Sequence, residues 1–253
     1  MFFAKKLAVA SVFSALLASP VLAAQCGNNA GGFNAWKTAF AAEAQRAGVK
    51  QRGLDALANA TYATDTIQAD RNQKSFKYSL DKFMQVRGAD TIVSQGRKRK
   101  AQNAGLYSAL EQQYGVPAGV LLAIHGMETV QCAVDQRVAQ IAVAAGHSSR
   151  VVSAITTLAY DCRRSDFFTP HAIGALMLVD RGSITSDTKG AKHGELGHTQ
   201  FLPGNALRYG VDGNGDGRVD LYNQTDAMTS TANFLRKKGW KPGQGYQQGQ
   251  PNF

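Results

Sequence analysis

Glutamate is scarce in this chain. Of 18 acidic residues among 253, only Glu43, Glu111, Glu128 and Glu195 are glutamates, so a reaction that needs one has four places to look. Cysteine is scarce too. Cys26, Cys132 and Cys162 offer no C-x-x-C pair and no neighbouring histidine spacing, which excludes a zinc framework. They allow one bridge and one leftover thiol, with the pairing open. The five histidines, His125, His147, His171, His193 and His198, show no H-x-x-x-H spacing, and no G-x-S-x-G elbow is present to mark a nucleophilic serine. Charged residues make up 18% against 44% hydrophobic, which excludes a disordered tail. The 26 glycines follow no Gly-X-Y period, which excludes a collagen-like fibre. Beyond the first 23 residues no apolar run is long enough to span a membrane.

What is present begins with a leader pattern. Lys5 and Lys6 precede an apolar run from Leu7 to Leu17, Pro20 breaks it, and Val21-Leu22-Ala23 offers small residues for cleavage. Residues 1–23 therefore read as a signal peptide, and residues 24–253 as a single exported domain. From Ala24 the chain keeps 26 basic residues against 18 acids, a balance of +8. That surplus suggests an acidic partner. Arg97-Lys98-Arg99-Lys100 is the densest cluster, but no nucleic-acid motif accompanies it, so an anionic cell-envelope polymer is the better partner.

The periodicity is helical almost throughout. Phe33, Trp36, Phe40 and Ala44 recur at three or four residues, ahead of Gly48. Further helices are read around Leu54–Ala58, Phe76–Met84, Ile92–Tyr114, Ala118–Met127, Val151–Tyr160, Phe167–Val179 and Thr225–Lys238. Strand signals are weak, so the fold class is mainly α with little or no β. The helix before Glu128 is nearly all apolar (GVLLAIHGM) and reads as buried on every side.

Three constellations could carry chemistry. Glu128 closes that apolar helix, where partial desolvation raises a carboxyl pKa and keeps a proton available for a leaving oxygen. Asp212, Asn214, Asp216, Gly217 and Asp220 stand at positions one, three, five, six and nine of a calcium-type loop. Position twelve is Asn223 rather than Glu, and Asp226 could close the site. Gly194-Glu195-Leu196-Gly197-His198-Thr199-Gln200 sets polar groups between two glycines, a pattern for close backbone approach.

Taken in order, these blocks resemble the B family of lytic murein transglycosylases, which have a lysozyme-like fold. The matching residues are Phe33-Asn34-Ala35-Trp36 with Phe40 and Glu43-Ala44; Asp70-Arg71-Asn72-Gln73 with Phe76; Tyr114-Gly115-Val116-Pro117; Ala123 to Thr129; Thr157 to Arg164 with Phe167-Phe168; Gly197 to Pro203; Tyr209 to Asp212 with Gly215 to Arg218; and Ala232 to Leu235 ending at Gly239-Trp240. The resemblance implies a lysozyme-like helical domain with a cleft. It implies an enzyme that cuts the MurNAc-β-1,4-GlcNAc bond of peptidoglycan with formation of 1,6-anhydromuramoyl ends, and acts as a monomer. Glu128 falls on the catalytic position. Gln200, Glu195, His198 and Thr129 fall on or beside groove positions. Asp212, Asn214, Asp216, the Arg218 carbonyl and Asp226 become ligands of a structural calcium, and Cys26 pairs with Cys162.

The chain also departs from that pattern. Val130 to Arg150 is longer than the family's segment and lacks its aromatic-Gly pair. Lys192-His193 replaces a Trp, and His198 a Gln or Glu. The family's final helix is not recognised before Phe253. Two rival expectations stand beside this reading, the second of them motivated by these departures. One is a hydrolytic muramidase drawing on Glu195, Asp135 or Asp166 as a second carboxylate. The other is a non-catalytic peptidoglycan-binding relative.

Overall fold

The computed structural model describes residues 24–72, 77–129 and 148–253. The leader, Gln73, Phe76, Cys132, Asp135 and most of the departing segment lie outside the described residues. Eleven α-helices and one two-stranded sheet are described, so the chain is mainly α. A 3-10 turn, Ala30–Gly32, leads into α1 (Phe33–Arg46). Phe33, Trp36, Phe40 and Ala44 face inward there. Trp36 and Phe40 stack with ring centroids 4.5 Å apart, the pairing that the three-and-four spacing allows. Gly48 turns the chain at φ 99°. Helix α2 (Gln51–Ala58) has no capping side chain of its own. The Asp180 carboxylate accepts the Lys50 and Gly53 amides at 2.6 and 2.7 Å instead, satisfying first-turn donors from across the fold.

Helix α3 (Thr64–Arg71) precedes α4 (Leu80–Arg87), α5 (Ala89–Gln102), α6 (Ala104–Tyr114) and α7 (Ala118–Thr129). The single helix expected over Ile92–Tyr114 is thus two. Asn103 breaks it, with its side chain turned back onto the Arg99 carbonyl at 3.2 Å, the competition with helical bonding that short amides provide. Strand β1 (Ser148–Arg150) runs into α8 (Val151–Tyr160), followed by α9 (Ser165–Asp180), β2 (Lys189–Ala191), α10 (Pro203–Tyr209) and α11 (Gln224–Lys237). The strands pair antiparallel, Ser149 opposite Gly190.

Two apolar clusters hold this arrangement. The larger joins α1, α2, α8 and α9 through Trp36, Phe40, Leu57, Ile155, Leu158 and Leu176. The smaller joins α6, α7 and α11 through Tyr107, Leu110, Leu121, Leu122, Met228 and Trp240. All ten residues of α8 are buried. Helix α7 is not buried on every side as its composition suggested: Gly119 and Ala123 are exposed. Its inward face is Ala118, Leu121, Leu122, His125 and Gly126, and its outward face carries small residues, Gly119 and Ala123. Helix α5 lies so close that a Cβ on Gly126 would stand 2.3 Å from Ile92.

Two cross-links tie the larger cluster together. Cys26 and Cys162 form a disulfide across 136 residues. A loop of that length stabilises by about 5 kcal/mol on the chain-entropy account. Nearby, Asp70, only 2% exposed, pairs with Arg163 and Arg164, and Arg71 reaches Asp161 at 2.8 Å. The Asp70-Arg71 block therefore clamps α3 to the turn between α8 and α9.

Candidate active site

Glu128 stands on the last turn of α7, half-buried. Among the described residues no hydrogen-bond donor meets its carboxyl. Burial pushes its pKa above the ordinary 4.5; Arg87, at the end of α4, opposes this, and the Glu195 carboxylate adds to it. A helix C-terminus, the negative end of the dipole, also disfavours a second negative charge. The result is a carboxylic acid biased toward holding its proton, chiefly by burial.

Glu195 and Gln200 belong to a compact loop seated on the larger cluster. Leu196 and Phe201, both buried, close it with paired amide bonds of 2.8 and 3.0 Å. Gly197, at φ 69°, has no room for a side chain, since a Cβ would stand 2.1 Å from the Leu221 carbonyl. Gln200 is the only non-glycine described residue with positive φ, at 51°. Its amide donates to the Gly197 carbonyl at 2.8 Å. Such a conformation costs on the order of 1 kcal/mol and persists where the surroundings enforce it. Glu195 accepts the His193 amide at 3.1 Å and faces the His193 ring at 3.4 Å.

His198 leaves this loop toward α7. Its Nδ1 lies 3.3 Å from Nε2 of His125, and its Nε2 meets the Tyr222 carbonyl at 2.9 Å. His125 is 1% exposed. Burial, helped by the Arg99 charge and by His198, lowers its pKa to about 3. Burial lowers His198 as well, against the support of the Tyr222 carbonyl. Both rings are therefore neutral near pH 7.

Glu195 thus stands within electrostatic reach of Glu128 and His198 against His125 of the same helix, with Gln200 on the Glu195 loop and Thr129 next to Glu128 in α7. Asp166 is exposed at the start of α9 and is not among the charges acting on Glu128. Neither His125 nor Arg87 stands out as a site residue from sequence, and Arg99 does so only as part of the basic cluster Arg97 to Lys100. The one available signal was an imidazole inside an otherwise apolar helix.

The aspartate-rich loop forms a separate feature between α10 and α11. Asp212 draws the Gly215, Asp216 and Gly217 amides around its carboxylate at 2.7 to 3.2 Å. Asp226, fully buried, accepts the Gly213, Asn214 and Asp220 amides at 2.9, 3.2 and 2.8 Å. Asp226 therefore closes the loop through its backbone. Among the described residues no group of three or more His, Cys, Asp or Glu could hold a metal ion. A cavity of about 260 Å³ lies on this side, lined by Arg181, Ile184, Leu207, Arg218 and Val219, and does not include Glu128.

Comparison with known proteins places this geometry in context. The family model described as the transglycosylase SLT domain matches residues 32–250. Membrane-bound lytic murein transglycosylase B of Escherichia coli (strain K12) is 31% identical over 134 residues, covering 52% of this chain and 34% of its own length. SltB3 from Pseudomonas aeruginosa, solved in complex with NAG-anhNAM-pentapeptide, superposes with a TM-score of 0.71 at 30% identity, over 85% of this chain and 55% of that one. Slt35 from Escherichia coli, solved in complex with calcium, shares the fold with a TM-score of 0.68 at 23% identity, over 88% of this chain and 68% of its own. The chain spans about a third of the Escherichia coli relative and about half of SltB3.

Proposed function

The chain belongs to the transglycosylase SLT domain family, and from that premise we propose that it is an exported peptidoglycan lytic transglycosylase with Glu128 as its acid and base. The observation that carries this reading is the Glu128 carboxyl, desolvated at the end of α7 with its pKa raised. A protonated Glu128 gives its proton to the oxygen of the MurNAc-β-1,4-GlcNAc bond, and the GlcNAc side leaves as an alcohol. The resulting carboxylate then accepts the proton of the muramoyl 6-hydroxyl as that oxygen bonds to C1. The products are a 1,6-anhydromuramoyl end and a free GlcNAc end, with no water consumed. The acetamido group of the substrate supports the cation-like centre, so no second enzymic carboxylate is required. Glu195 and Gln200, on the loop that acts electrostatically on Glu128, are the residues proposed to border the sugars. The bound NAG-anhNAM-pentapeptide in SltB3, a 30% identical relative, supports the product class.

The test is digestion of purified peptidoglycan with mass spectrometry of the fragments. Anhydro-muropeptides from the wild type, absent with Glu128→Gln, are the expected result. Intact sacculi from the wild type sink the reading. Reducing muramic ends would point instead to a hydrolytic muramidase, a reading favoured by the electrostatic coupling of Glu195 to Glu128.

For the loop from Asp212 to Asp220 we propose a structural calcium ion, in line with the calcium complex of the Slt35 neighbour. Its oxygens alternate along one turn, and a hard cation takes such donors. Of the loop's three carboxylates, Asp220 meets the Tyr222 amide, so Asp212 and Asp216 would act with Asn214 and the Arg218 carbonyl. Asp226 would hold the loop in shape. The basic surplus and the leader pattern fit an envelope location against an anionic polymer.

A further inference from the structure

We infer that His125 and His198 form a hydrogen-bonded bridge that fixes the Glu128 helix against the Glu195–Gln200 loop, and so act as positioning residues for the reaction. This rests on the reading of Glu128 as the reacting acid. His125 and Glu128 are three residues apart on α7 and share a face of the helix. A shift of the imidazole is therefore a shift of the carboxyl.

The bridge has a direction set by its partners. A carbonyl only accepts, so His198 carries its proton on Nε2 toward Tyr222, 2.9 Å away. In a neutral ring that leaves Nδ1 as an acceptor, and His125 must donate to it from Nε2 across 3.3 Å. The rings meet edge to face, with centroids 5.2 Å apart. His198 is itself pinned, its amide donating to the Leu221 carbonyl at 3.0 Å. Tyr222 extends the tie, since its hydroxyl donates to the Lys189 carbonyl on β2. Strand β2 runs straight into the Glu195 loop, where the Ala191 amide meets the Glu195 carbonyl at 3.0 Å. One chain of contacts thus runs from the acid's helix through two imidazoles to the loop that borders the substrate.

This bridge also joins the two apolar clusters. Leu121 and Leu122 anchor α7 in the smaller cluster, and Leu196, Phe201 and Leu221 anchor the loop in the larger. Packing alone would be served better by an aliphatic residue at 125, because a buried imidazole is costly without partners. The fixed geometry is the return on that cost. Misplacement of a reacting group by about 1 Å lowers rates by about a hundredfold.

The experiment compares wild type, His198→Ala and His198→Asn on purified peptidoglycan, with melting temperature measured alongside. Asparagine keeps an acceptor near the Nδ1 position and alanine does not. His198→Ala is expected to lower kcat by about 10- to 100-fold with KM within about twofold. His198→Asn should recover most of the rate, and adding His125→Leu to His198→Ala should change kcat little further. Wild-type kcat in His198→Ala overturns the inference, as does a loss explained by a smaller folded fraction or an asparagine variant no better than alanine. An inactive wild type defeats the reading of Glu128 instead. In that case imidazole 15N spectra still decide the bridge: protonated Nε2 on His125 in the wild type, altered in His198→Ala, supports it, and unprotonated Nε2 refutes it.

Discussion

Glu128 and Asp226 are both carboxyl groups withdrawn from water, on two helices that contribute to the smaller cluster, and their surroundings make them opposites. Asp226 sits in the first turn of α11, where the helix dipole favours a negative charge. Three backbone amides fill its oxygens. Glu128 sits in the last turn of α7, where the dipole opposes a charge, and among the described residues no donor meets it. One site uses a carboxylate to organise a backbone. At the other, burial raises the carboxyl's pKa and no donor among the described residues offsets it. The difference teaches that burial alone does not raise a carboxyl's pKa; the hydrogen-bond donors that meet it, or fail to, decide whether the charged form is supported.

The largest effect should come from making Glu128 amide-like. Glu128→Gln preserves shape and removes both the proton and the base. Turnover should fall by at least about a thousandfold, with the melting temperature held or raised, measured by fragment release and by thermal unfolding. Asp226→Ala should do the reverse. Buried amides at Gly213, Asn214 and Asp220 lose their acceptor, and each unmet donor costs on the order of 1 kcal/mol. A total of about 3 kcal/mol would lower the melting temperature by roughly 6–12 °C in a domain of this size. Activity per folded molecule should change far less. If Asp226→Ala is silent on stability and Glu128→Gln unfolds the protein, the contrast between the two sites is wrong.

Much of this contrast was legible in the residues, and the illegible part has physical reasons. Glu128 announced itself by ending an apolar run, and α1 by its inward aromatic spacing. Helices α3 and α10 did not, because TDTIQADR and PGNALRY carry few apolar side chains and owe their helicity to packing against α8 and α9. Asp226 was expected as an ion ligand because oxygen spacing is visible in sequence, whereas the amides that fill it are set only when the loop folds. His125 was invisible for a similar reason. Its partner lies 73 residues away, and a lone imidazole in an apolar helix gives no direction in which to look. The extent of α7's outward face was misjudged because composition records what is apolar but not which side is covered.

A smaller effect should separate the loop's own order from an ion's contribution. The Asp212 amide bonds already shape the loop, so chelation should not unfold the domain. With calcium at about a hundred times its Kd, binding contributes about 2.7 kcal/mol. A chelator should therefore lower the melting temperature by roughly 5–11 °C in a domain of this size, and Asp212→Ala should remove that difference. A chelator effect that survives Asp212→Ala would place the ion elsewhere. No effect at all would mean that Asp226 and the amides suffice.

The smallest effect tests whether Glu128 is held above its ordinary pKa by the fold. Its folded pKa is raised from 4.5, so folding favours the protonated form. The wild type keeps that contribution fully below the ordinary value and loses it as pH rises through the folded value, because above it the fold must hold a desolvated charge. Glutamine carries no charge at any pH. Urea unfolding of both proteins should therefore give matched stabilities near pH 4, with Glu128→Gln becoming the more stable as pH rises and the difference levelling off above the folded pKa. Removing the opposing charge with Arg87→Ala should widen the gap and move its midpoint to higher pH. A difference that is flat across the series would mean the carboxyl is not destabilised as a charge. Glu128 would then differ from Asp226 only in lacking amide partners, and the proton it is proposed to deliver would have no structural source.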